Sequence, residues 1–436
     1  MLSGVGPMLR LRPVMVACGL AASGLVLSAI SVPPALARPL HRVAAPAFRR
    51  ASEVTLPANA DLADGGGVYG IGCAALGACA AGGGYTTTTG AEEAFAVSQV
   101  RGAWKVADEV QLPAGAASDP GAEINGVACP AIGYCVAVGD YETASSVELG
   151  FIVTESRGRW GTATHVALPA NSPAITPSQL MAVACTGRGN CEAVGDYNDS
   201  SSDGEGMAVT EVAGHWRRAV EITMPTNAVA NPEAFPVSVT CVQAGDCVAA
   251  GSYDVAPYPD YVPMVATQTG GRWLRAVPIS EPGGAAPDGS AMNSAACWTA
   301  GHCVAVGSYA VSAKVSDAMA ATESRGRWGR AVEETVSPAA HIPAEYFDSI
   351  SCAPAAGCVA AGGYQPASGT SLPLTLLYAA GRWEHAVALK LPPGAAAPTA
   401  QNAGLYGISC LDDGYCAVGG YYHSSTGPYL PMVATT

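Results

Sequence analysis

Fourteen of the fifteen cysteines fall into seven pairs of one form, Cys-x5-Cys, and no other feature restricts the fold so tightly. The pairs are Cys73/Cys79, Cys129/Cys135, Cys185/Cys191, Cys241/Cys247, Cys297/Cys303, Cys352/Cys358 and Cys410/Cys416, their first members spaced by 56, 56, 56, 56, 55 and 58 residues. An even number of regularly placed cysteines reads as a disulfide framework. Each pair brackets a short loop with Gly at its fourth position (Gly77, Gly133, Gly189, Gly245, Gly301, Gly414), or one place later at Gly357. Gly supplies the positive φ of a hairpin loop, and two cysteines flanking such a loop face each other across adjacent strands. A metal site would need two close pairs or a pair with two histidines; here each pair stands alone. Loop-closure entropy assigns about 2.4 kcal/mol to each bridge of this length.

Aligned on the cysteines, the copies share four strand-like segments. Segment A is an apolar run ending at the first Cys, as in Ile124 to Cys129. Segment B starts at the second Cys and ends in Gly-x-Tyr, as in Cys135-Val-Ala-Val-Gly-Asp-Tyr141. Segment C is short and apolar, as in Phe151-Ile-Val-Thr-Glu155, and segment D runs from a Gly-x-Trp turn to a proline, as in Trp104 to Pro113. The last copy stops after segment C. The missing D segment stands at the other end of the chain, at Phe48-Arg-Arg-Ala-Ser-Glu-Val-Thr-Leu-Pro57, one period upstream of Trp104. An open solenoid would have capping units; a permuted seam describes a closed ring without free edges. The expectation is an all-β, seven-bladed propeller over residues 48–436, with four-stranded antiparallel blades and the N-terminal strand closing the last one.

Composition agrees with closely stacked sheets. Gly (52) and Pro (32) are abundant, there are only five Phe, and Ala and Val dominate the apolar residues. The formal net charge of −14, with three lysines, leaves no electrostatic footprint for nucleic acid or an anionic membrane surface. Residues 1–37 read as a secretory signal: Arg10 and Arg12, an apolar stretch from Val14 to Val32, then Ala35-Leu36-Ala37 before a cleavage point. The alternative is an uncleaved anchor. Cys18 would be removed with the signal, residues 38–47 would form a lead-in, and the mature protein is expected to be an extracellular monomer.

The unit resembles the kelch repeat: an apolar strand ending in Gly-Gly-Tyr or Gly-x-Tyr, clearest at Gly83-Gly84-Tyr85 and Gly362-Gly363-Tyr364, then a Trp followed by a proline. Its period is longer than the roughly 50 residues of kelch, and it adds the disulfides. With Cys-x-Ala-Val-Gly it looks most like uncharacterised secreted propellers of actinobacterial type. That resemblance implies fold and export and brings no site residues with it.

In an up-and-down blade the B–C and D–A loops share one face, and here that face holds the variable segments on which binding sites tend to sit. Tyr258, Asp260 and Tyr261, in Asp254-Val-Ala-Pro-Tyr-Pro-Asp-Tyr261, are suited to sugar stacking or a protein contact. Asp199, Asp203 and Glu205 offer hard oxygen ligands for Ca2+, though not at EF-hand spacing; no other cofactor is expected. The fourteen paired cysteines complete the set of singled-out residues, as disulfides. The Tyr of Gly-x-Tyr recurs in every copy and reads as structural. Catalytic signatures such as H-E-x-x-H, G-x-S-x-G and a P-loop are absent, and Gly65-x-Gly67-x-x-Gly70 precedes a strand, not a helix. The expected role is therefore non-enzymatic recognition of a protein or glycan through the loop face, with a carbohydrate-active enzyme using two carboxylates at the channel mouth as the alternative.

Overall fold

The computed structural model describes residues 46–256, 260–286, 289–312, 315–334, 344–353, 357–365, 370–384 and 386–436. The signal and most of the lead-in lie outside them. The chain forms seven antiparallel sheets. In the first, Gly66–Ala75, Ala78–Thr86 and Glu92–Val100 pair in sequence, and the outer segment adds Ala103–Trp104 and Asp108–Glu109. Each segment A is the inner strand, and all seven inner strands line one central channel.

Each blade holds its expected disulfide across the first hairpin. Cys73 is bonded to Cys79, Cys129 to Cys135, Cys185 to Cys191 and Cys241 to Cys247. Cys297 is bonded to Cys303, Cys352 to Cys358 and Cys410 to Cys416. The Cα–Cα separations, 3.9 to 4.1 Å, are those of directly opposed residues on neighbouring strands.

Closure follows the expected seam. Ser52–Glu53 pairs antiparallel with the last strand, Tyr429–Thr435, placing Ser52 opposite Val433 and Glu53 opposite Met432. Arg49 N donates to Thr435 O at 2.8 Å and Val54 N to Pro431 O at 2.9 Å. Phe48 packs on the cluster shared by the sixth and seventh blades, as the tryptophans do between other blades.

The core lies between sheets, not within any one of them. Each apolar cluster draws on two adjacent blades and is made largely of Ala, Val and Cys with one buried Tyr or a few larger chains. Small side chains let neighbouring sheets approach closely, and burying the larger ones contributes roughly 1.5–3 kcal/mol apiece.

The outer segment departs from the four-segment expectation. It is not a continuous strand but two short pieces, because its middle turns to the neighbouring blade. Ala107 N donates to Thr55 O, Ala163 N to Gln111 O and Ala219 N to Ala167 O, all at 2.7 to 2.8 Å. These bonds join successive outer strands into a hoop, and Arg218 adds a bond from Nη1 to Leu168 O at 2.7 Å.

The tyrosine of Gly-x-Tyr is buried in most blades, and its hydroxyl reaches outward to the outer segment. Tyr85 donates to Glu109 Oε2 at 2.8 Å, Tyr309 to Glu333 Oε2 at 3.0 Å and Tyr422 to Glu53 Oε2 at 2.8 Å. It ties strand to strand.

Candidate functional site

Every inner strand carries a β-bulge at the same place, four residues before its first cysteine. In the second blade Ile124 pairs with Gly139 and Gly126 with Val138, leaving Asn125 as the extra residue. The other extra residues are Tyr69, Met181, Val237, Asn293, Asp348 and Tyr406. A bulge re-aims the unpaired residue, and all seven line the central channel, a cavity of about 350 Å3. The frame is repeated while this ring is not: two tyrosines and an aspartate stand together on blades six, seven and one.

Further along the channel the wall is small and polar. Ser409 Oγ accepts from Cys73 N at 3.0 Å across the seam between blades seven and one, and Ser351 Oγ accepts from Cys410 N at 2.9 Å. Hydroxyls of one inner strand thus satisfy backbone donors of the next, which holds the ring residues in fixed relation.

A second cavity, of about 400 Å3, opens beside the channel on the loop face, between the seventh blade and the first. Tyr69 and Tyr406 belong to both cavities. Four tyrosine rings form an unbroken wall. Tyr69 meets Tyr406 edge-on at 5.5 Å between centroids, Tyr406 stacks on Tyr421 at 5.4 Å, and Tyr421 meets Tyr429 edge-on at 5.6 Å. Tyr406 and Tyr429 keep 39% and 42% of their surface exposed, so this wall is presented to solvent and not used up in packing. Asn402 Nδ2 donates to the Tyr429 hydroxyl at 3.1 Å, and the His423 ring lies 5.1 Å from the Tyr429 ring.

Glycines make the space. Gly84 takes the place that Asp140 and Asp196 hold in the next two blades, and the position its Cβ would occupy is 3.7 Å from the Tyr69 ring. Gly404 similarly lies beside Tyr421, with 3.1 Å from such a Cβ to the ring. A Cβ at Gly404 would press on Tyr421, whereas one at Gly84 would only touch Tyr69.

The charged members of the pocket are acids. Glu92 and Glu123 both line it. Burial, then the charges of Glu148 and Glu92, pushes the Glu123 carboxyl above its ordinary value. Burial, with Glu123 and Glu92 beside it, raises the Tyr69 hydroxyl to about 12. Next along the face, the Asp140 carboxyl is raised by burial and by its bond with Glu148, while Asn125 Nδ2 donates to Asp140 Oδ1 at 2.7 Å. On the other side of the tyrosines, burial raises the Asp348 carboxyl to about 7, and its Oδ2 is shielded from solvent with no hydrogen-bond partner.

The residues singled out from sequence lie elsewhere. Tyr258 falls outside the described residues. Asp260 and Tyr261 sit at the start of the fourth blade's third strand, where Asp260 O closes the loop by accepting from Val255 N at 3.1 Å and the Tyr261 ring lies 6.2 Å from Phe235. They do not join the tyrosine wall. Asp199 Oδ1 is occupied by its own loop, accepting from Ser201 N at 2.7 Å and Asp203 N at 3.1 Å. Among the described residues no group of three or more His, Cys, Asp or Glu gathers as a metal site; burial, then the charges of Glu221, Asp199 and Asp203, raises the Glu205 carboxyl to about 7. Asp199 Oδ1 caps its own tight loop.

All seven expected disulfides are present, and within each pair the two cysteines have different surroundings. Cys73, Cys129, Cys185, Cys241, Cys297 and Cys352 stand on inner strands and line the channel. Their partners do not: Cys79, Cys135, Cys191, Cys247, Cys303 and Cys358, together with Cys416 of the last pair, line neither the channel nor the tyrosine pocket. The hairpin sets each of them one strand further out, where it is buried in an apolar cluster between two blades. Cys79, Cys135, Cys191, Cys247, Cys303, Cys358 and Cys416 are thus part of the apolar frame between blades.

The tyrosine wall is not evident along the linear sequence because its members are scattered through strands. Their signal was nevertheless present in the aligned copies, where the bulge position changes from Tyr to Asn, Met, Val, Asn, Asp and Tyr.

Fold and site together define a disulfide-stapled, seven-bladed β-propeller with an aromatic pocket at its seam. No protein-family model matches the chain, and no curated protein matches it. Solved structures that it resembles in path include a protein of unknown function from Dyadobacter fermentans (11% identity, 89% of this chain and 98% of that one, TM-score 0.44). Others are the fucose-specific lectin from Aleuria aurantia (9%, 77% and 99%, 0.41) and an ulvan lyase (9%, 88% and 97%, 0.48). Likeness at this level carries no inference about activity.

Proposed function

We propose that this protein is a secreted, non-enzymatic propeller that binds a glycan in the pocket formed by Tyr69, Tyr406, Tyr421 and Tyr429. The observation behind this reading is the continuous, partly exposed aromatic wall of a cavity of about 400 Å3, a size common for small-ligand sites. The C–H faces of a sugar ring pack on aromatic faces, while its hydroxyls need nearby donors and acceptors; Asn402, Glu92 and Glu123 stand at the rim. The rigid disulfide-bonded frame favours preformed binding over induced closure. Export follows from the N-terminal signal and suits seven disulfides; an N-terminal sequence beginning at Arg38 in the secreted protein checks it.

A carbohydrate-active enzyme is the second reading, favoured by two carboxylates, Glu92 and Glu123, on one pocket wall. A glycan array read with the mature protein, and with Tyr406→Ala and Tyr421→Ala, tests the first. Each loss of a stacking ring is expected to weaken binding about tenfold at unchanged melting temperature. Equal binding by the double variant would overturn the proposal. Release of reducing ends or of unsaturated sugar from a bound glycan, abolished by Glu123→Gln, would favour the enzyme.

A further inference from the structure

The charges of this molecule are sorted by face. Every Arg and Lys among the described residues lies in an outer segment, a disulfide hairpin or a Gly-x-Trp turn. None lies on an inner strand or in a described B–C or D–A loop. The loop face carries acids instead, and around the tyrosine pocket Glu92, Glu123, Asp140, Glu148 and Asp348 have no ion pair among the described residues. Two of these line the pocket itself. Asp348 lies on the adjoining channel wall with Tyr406, its carboxyl enclosed and its Oδ2 without a partner.

An aromatic wall rimmed by unpaired carboxylates suits a cation. Ring faces attract positive charge through their quadrupoles, and acids deprived of counter-charge in a concave site gain from a cation that enters. The same field disfavours uronic, sialic and sulfated sugars. We infer that the pocket takes a saccharide unit bearing a free ammonium group, an unacetylated hexosamine, with its ring against the tyrosines and its ammonium toward Glu92 and Glu123. This rests on the glycan-binding reading and narrows it.

Calorimetry on the mature protein with a glucosamine tetramer and with its fully N-acetylated counterpart, at equal ionic strength, tests the inference. The free amine should bind at least about tenfold tighter, and its affinity should fall as salt is raised. Glu92→Gln/Glu123→Gln should remove most of that preference by weakening the free amine far more than the acetylated tetramer, whereas Asp199→Asn, on the same face but engaged in its own loop, should change neither. Competition by tetramethylammonium beyond that of sodium at the same ionic strength would further support a cation site. Equal or tighter binding of the acetylated tetramer would overturn the inference and leave the glycan-binding reading intact, provided that Tyr406→Ala still weakens that binding. Preference for the amine that survives Glu92→Gln/Glu123→Gln would also overturn it, by placing the charge recognition elsewhere. Binding of neither tetramer overturns the inference, and the glycan array then decides the broader reading.

Discussion

The carbonyl oxygen of Glu123 lies where a Cβ on Gly139 would have to be. The same relation recurs in the first and last blades, between Gly83 and Gly67 and between Gly420 and Gly404. The glycine of Gly-x-Tyr thus lets the inner strand fold close as it enters its bulge, and the bulge in turn aims one residue into the channel mouth. A glycine that looked like strand punctuation is part of the device that presents Tyr69, Asn125 and Tyr406.

Gly139→Ala is therefore expected to cost about 3 kcal/mol or more, because backbone and not a flexible side chain must yield. Gly161→Ala is the matched control. Its Cβ would meet only Thr154 O, at 3.5 Å, and its stability should change by less than about 0.5 kcal/mol. Denaturant melts of the two variants check this; equal stability would show that the bulge is not held by the glycine.

Closure of the ring depends on a short segment with three buried apolar residues, Ala51, Val54 and Leu56. Val54→Asp places an unpaired charge in the cluster that joins the seventh blade to the first. It should lower stability by several kcal/mol and increase proteolysis near 429–436. Removal of residues 46–57 should go further and expose the last strand as a free edge, with aggregation read by light scattering. A truncated chain as stable and monodisperse as the intact one would contradict the closed ring.

Stability should fall as pH rises from about 4 to about 7. Asp196, Glu205 and Asp348 are each held at about 7 chiefly by burial, against ordinary values of 3.8 to 4.5. Between those limits the unfolded chain has lost protons that the folded chain still binds, so raising pH favours unfolding; above the folded values the loss is complete. Reduced self-repulsion of a chain of net charge −14 on acidification acts in the same direction. The melting temperature is predicted to be several degrees higher at about pH 5 than at about pH 7.5. Asp348→Asn should flatten part of the difference; a higher melting temperature at the upper pH would contradict the burial of these acids.

The frame was legible because it is written seven times. Cysteine spacing, the Gly-x-Trp turn and Phe48 standing where a tryptophan belongs reveal hairpin, blade and seam without any structure, since each is a local chemical requirement repeated at one period. The split of the outer strand was not legible: Ala107 bonds to Thr55 of a neighbouring blade, a choice made by packing around the circumference. The pocket was hidden for a different reason. Tyr69 and Tyr406 are more than three hundred residues apart in sequence, and only closure of the ring makes their blades neighbours. Tyr258, Asp260 and Tyr261 belong to a variable loop, while the variation that shapes the pocket sits inside strands, at a bulge that a period-two pattern does not reveal.

The most direct measurement is a crystal structure of the mature protein soaked with the oligosaccharide that binds it best. The account predicts sugar density against the Tyr406 and Tyr421 rings, with Glu92 and Glu123 at its edge. A sugar seated on the disulfide-hairpin face, or on the fourth blade beside Tyr261 with the seam empty, would contradict it.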